Sequence, residues 1–81
     1  MMASKKMQHE GALNVYGIHY RYSMTVAADK TKNGIEGGKV TMLRMSVDGE
    51  TVCEYDRRWI KEPGNANTEL AAEILLHEYN W

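Results

Sequence analysis

Two stretches hold the residue types from which a binding site could be built. Gly34-Ile35-Glu36-Gly37-Gly38-Lys39 is glycine-rich and ends on a cation. Successive backbone N–H groups in such a turn can converge on a phosphate, and Lys39 would add charge. The stretch is not a Walker loop: no Ser or Thr follows the lysine, and a strand-like run comes next instead of a helix. The second stretch is Asp56-Arg57-Arg58-Trp59. Arg and Trp dominate interface hot spots, and Arg forks onto phosphate or stacks on rings. Each stretch also has a purely architectural reading. The glycines would supply backbone angles, Asp56 and Arg57 would pair, and Trp59 would plug the end of the core. The candidate binding residues are therefore Gly37, Gly38, Lys39, Arg57, Arg58 and Trp59.

Other chemistry finds little support. Cys53 is the only cysteine, so no internal disulfide forms, and it sits mid-strand without an activating neighbour. His9, His19 and His77 lack metal-ligand spacing. Glu69, Glu73 and His77 share a helical stripe, but such stripes are usually solvated faces. No nucleophile, acid-base pair or cofactor fingerprint stands out, so no catalytic residue, metal site or cofactor is assigned and a non-enzymatic protein is expected. Tyr20 and Tyr22 could stack bases, yet they share a face with Met24 and Val26 and read better as core.

The elements that would position these residues can be read from periodicity. With 81 residues the chain is one small domain with a thin core. Met1 to Glu10 is polar and aperiodic and reads as a mobile tail, with no apolar run for a signal peptide. Residues 11–81 form the domain. A short alternation around Leu13 and Val15, a turn at Tyr16-Gly17 and a strand over His19–Ala27 predict a first hairpin. Lys39–Val47, the Asp48-Gly49 turn and Thr51–Tyr55 predict a second, since a type I′ turn needs positive φ at both central residues. The apolar phase changes between Met42 and Leu43, which means a bulge or two partly covered faces. Residues 57–66 read as a connection containing Pro63, with Asn65 or Asn67 capping a helix from about Thr68 to Tyr79. That helix would turn Leu70, Ala71, Ile74, Leu75 and Glu78 to one side. The expected class is α+β: a four-stranded antiparallel β-meander covered on one face by a single C-terminal α-helix.

Glycine and aromatic landmarks add a resemblance. Gly17 and Tyr20, the Gly34–Lys39 loop, and Tyr55-Asp56-Arg57-Arg58-Trp59 with Pro63 behind it resemble an uncharacterised family of short proteins from Gram-positive bacteria and their phages. The resemblance spans residues 11 to 80. Arg58 departs from it, because the family usually has glycine there. The resemblance implies the meander-plus-helix fold and a phage or mobile-element setting. It supplies no activity.

A formal net charge of -1 argues against broad binding to nucleic acid or anionic membranes. No run is long enough to span a bilayer, so a cytoplasmic protein is expected, in the host cytoplasm if phage-encoded. Six methionines and five tyrosines suit both a core and an adaptable surface. The leading expectation is a small interaction module that binds a protein partner, for instance a mobile-element inhibitor of a host defence nuclease. The alternative is binding of nucleic acid or a nucleotide through Lys30, Lys32, Lys39, Arg57 and Arg58. Either could act as a homo-oligomer through an exposed sheet face or edge.

Overall fold

The computed structural model describes residues 6–81. Its elements in chain order are β1 (Lys6–Val15), β2 (Ile18–Ala27), a single 3₁₀ turn (Ile35–Gly37), β3 (Val40–Val47), β4 (Glu50–Asp56), β5 (Trp59–Lys61) and α1 (Ala66–Tyr79). The strands form one antiparallel sheet in the order β1-β2-β3-β4-β5, each beside its neighbour in sequence. The α+β meander with a C-terminal helix is thus as expected, with one strand more.

Both predicted hairpins close on two-residue turns with positive φ at both centres: Tyr16 (51°) and Gly17 (83°), then Asp48 (51°) and Gly49 (83°). This is the type I′ signature, whose twist matches that of the flanking strands. Glycine at the second centre relieves the strain that a Cβ would meet there. The phase change in β3 is a bulge. Thr25 faces Met42 but Val26 faces Val40, leaving Thr41 as the extra residue. That single insertion turns both Val40 and Leu43 into the core.

Three boundaries differ from expectation. Residues 6–10, expected within a tail, are the first half of β1, paired with Ser23–Ala27; residues 1–5 of that tail lie outside the described residues. Trp59–Lys61, expected as connection, pairs with β4 as a fifth strand. The helix is rotated from its expected face: Thr68, Ala71, Ala72 and Leu75 are buried, whereas Leu70 and Ile74 are exposed. Two adjacent alanines allow close approach to the sheet, and this outweighs the larger side chains beside them. Asn65 is the N-cap, its side chain accepting from the Thr68 N–H at 2.8 Å.

The core lies on one face only. It gathers Tyr20, Met24, Val40, Leu43, Met45, Cys53 and Tyr55 from the sheet beneath Ile35 and the helix. Tyr20 is 1% exposed, and its hydroxyl meets Thr68 Oγ1 at 3.1 Å and accepts from Asn67 Nδ2 at 2.8 Å. It is a core residue, as its alternation predicted. The opposite sheet face has no covering element among the described residues. No helix among them is long and apolar enough to cross a membrane.

Candidate functional site

The glycine loop folds around one side chain of its own chain. Asn80, directly after α1, is 1% exposed. Its Oδ1 accepts from the Val40 N–H at 2.8 Å, and its Nδ2 donates to the Ile35 carbonyl at 2.8 Å. The Lys39 N–H donates to the Asn80 carbonyl at 2.8 Å. Gly38 must be glycine because a Cβ there would collide with the Asn80 side chain, and one on Gly34 would collide with the Gly38 carbonyl. The Gly37 N–H is spent on Gly34 and the Gly38 N–H on Ile35, at 3.0 and 2.9 Å. With all three N–H groups engaged inside the fold, Gly37, Gly38 and Lys39 offer no free backbone nest to an anion.

The other half of the predicted site faces elsewhere. Directly paired residues share a sheet face, so Gln8, Thr25, Met42 and Asp56 form one row across four strands. The next row, His9, Met24, Leu43 and Tyr55, faces the helix. The first row therefore floors the uncovered face. At its end a groove of about 570 Å³ opens between this floor and the loop from Ala28 to Asn33. Lys6, Lys30 and Arg57 bring three cations to its walls, and Asp29 and Asp56 two carboxylates.

Arg57 is held at this rim by backbone geometry. Its φ is 61°, its N–H donates to the Thr41 carbonyl at 3.0 Å, and its Nε lies 3.5 Å from Asp56 Oδ1. Both side chains of that pair are substantially exposed, so the attraction is weak and Arg57 stays available. Arg58 is exposed, its carbonyl accepting from the Asp56 N–H at 2.9 Å. Trp59 is half-buried, edge-on to Tyr55 with ring centres 5.1 Å apart, in keeping with its architectural reading. Hairpin closure thus brings the two predicted stretches to one end of the sheet, where Asp56 and Arg57 line the groove while Trp59, paired with Tyr55, lies on the helix side.

The groove also uses residues that the sequence did not single out: Lys6, Gln8, Thr25, Asn33 and Met42. Asn33 is fixed there because its carbonyl accepts from the Tyr55 hydroxyl at 2.9 Å. Lys30 lies 5.3 Å from the centre of the Trp81 ring, a cation–π contact that braces the loop against the end of the chain. Asn80 left no signal at all, since one Asn after a helix is ordinary. Cys53 is fully buried, and burial pushes its thiol up to about 11, which removes it as a nucleophile. Glu69, Glu73 and His77 remain exposed on α1, and no cluster of three potential metal ligands occurs among the described residues.

Fold and site together define a small one-layer sheet with one covered face and one bare, grooved face. The chain belongs to the family of the domain of unknown function DUF7678, whose model matches residues 7–80. No curated protein and no solved structure matches it.

Proposed function

We propose that this protein is a non-enzymatic interaction module that docks a protein partner on its uncovered sheet face, with the groove beside Arg57 as the anchor point. One observation carries the reading: among the described residues a five-stranded sheet is covered on one side only, and the other side has an open groove with Met42 on its floor. Met42 is 40% exposed, unusual for a large apolar side chain at mid-strand. Met42 and Arg57 side by side are two of the residue types enriched at protein interfaces. The resemblance to short proteins of Gram-positive bacteria and their phages supports a mobile-element origin, with a host factor such as a defence nuclease as the partner.

Affinity capture from a Gram-positive host lysate tests this. A stoichiometric protein should be retained after nuclease treatment and lost with Met42→Arg or Arg57→Ala. No retained protein, or one indifferent to both substitutions, would overturn the proposal.

The three groove cations favour one second reading, a nucleotide or single-stranded nucleic acid in the same place. That reading requires salt-sensitive oligonucleotide affinity that falls when Arg57 is replaced by Ala. A flat titration removes it.

A further inference from the structure

We infer that the free edge of β1 pairs with β1 of a second copy, joining two sheets into one continuous sheet with the two helices side by side. The sheet's two edges are unequal. β5 is 3 residues long and leads toward Pro63, whereas β1 is 10 residues long and contains no proline. Val15 and Ile18 flank a two-residue turn, so they bond to each other and the ladder alternates from there. The N–H and C=O groups of Gln8, Glu10, Ala12 and Asn14 therefore point away from β2, along an edge that no other described strand pairs. Long unprotected edges of this kind are templates for another strand.

Register follows from charge and length. Only even-numbered residues carry outward groups, so the two-fold axis must pass through a residue of β1. An axis at Glu10 would oppose two carboxylates, which is unfavourable. An axis at Gly11 opposes Gly11 to itself, Glu10 to Ala12 and Gln8 to Asn14, and pairs the strands from Met7 to Val15 without like charges.

The helix supplies an independent argument. It touches both β1 and β2: Asn67 Nδ2 donates to the Val15 carbonyl at 3.1 Å, the Tyr79 ring lies 4.5 Å from that of His9, and Thr68 Oγ1 meets the Tyr20 hydroxyl at 3.1 Å. Asn67, Leu70, Ile74 and Glu78 lie along one flank of α1, and the Asn67 bond turns this flank toward β1 and the free edge. Leu70 and Ile74 are 36% and 45% exposed there. Strands lie ~4.8 Å apart, so helices seated between β1 and β2 of two joined sheets stand about 10 Å apart, the ordinary packing distance. Ile74 sits near the level of Gly11, so Ile74 meets its counterpart across the axis. The exposed apolar flank and the exposed edge thus call for the same partner.

Light scattering on a sizing column should give twice the 9.3 kDa chain mass. Ala12→Pro removes an outward N–H without touching the β1–β2 ladder, and Ile74→Arg places charge at the helix contact. Both should halve the mass while leaving the circular dichroism spectrum unchanged. In a Cys53→Ser background, oxidation should cross-link Ile74→Cys and not Ile60→Cys, which lies by the opposite edge. A wild-type monomer, variants that stay dimeric, or cross-linking through position 60 instead of 74 would each overturn the inference.

Discussion

At the scale of single residues, Asn80 and Cys53 show what burial demands of polar and reactive groups. Asn80→Ala leaves the Val40 N–H buried without a partner and takes one of two donors from the Ile35 carbonyl, which keeps the Gly38 N–H. One such orphaned N–H costs about 1–3 kcal/mol, so the variant should lose about that much in urea unfolding. Gly38→Ala should weaken the same contact by pushing the Asn80 side chain out. Cys53 makes a pH prediction whose sign is definite. Its folded pKa is raised from 9.0 to about 11, so between those values the unfolded chain loses the thiol proton and the folded chain keeps it. Stability is therefore full below pH 9.0 and falls as the pH climbs toward 11. Burial of Tyr55 and Tyr22 pushes their hydroxyls up as well, steepening the alkaline loss. Cys53→Ser should flatten the early part of that curve. At neutral pH the thiol should react with a disulfide reagent only at the rate of unfolding.

At the scale of elements, the β4–β5 turn is the most instructive. Resemblance places a glycine at position 58, yet the left-handed residue here is Arg57, at φ 61°. Arg57→Gly should therefore stabilise the protein by about 1 kcal/mol, whereas Arg58→Gly should stabilise nothing. Thermal unfolding of the two variants separates the positions. Both long hairpins could be read from sequence because Asp48-Gly49 and Tyr16-Gly17 sit between alternating runs, where turn chemistry and pattern agree. The fifth strand could not, since three residues show no period. The first half of β1 was missed because Met7 is exposed on the helix side of the sheet, so no apolar alternation is imposed there. The helix face differs from its periodicity because periodicity weighs Leu70 and Ile74 above alanine, while close packing favours alanine. The chemistry of Arg57 singles it out in the sequence, and it lines the groove. The backbone N–H groups of Gly37 to Lys39 are engaged inside the fold, and glycine spacing alone does not distinguish a loop that holds a ligand from one that closes on the protein's own Asn80.

At the scale of the whole molecule, the described residues form a 45 × 20 × 20 Å body of one sheet and one helix. Among the described residues one helix covers one face of the sheet and leaves the other face and the long β1 edge uncovered. Joined edge to edge, two copies would carry their grooves on one continuous platform. The Asn80 clasp also sets an order of events. Every strand pairs with its sequence neighbour, so each closure on the way to the sheet is short, while the bond from Val40 to Asn80 reaches across 40 residues. Short closures form early and distant ones late. The clasp therefore acts in time as the last latch to shut and the first to open. In stopped-flow measurements, Asn80→Ala should leave the refolding arm nearly in place and move its whole cost into faster unfolding.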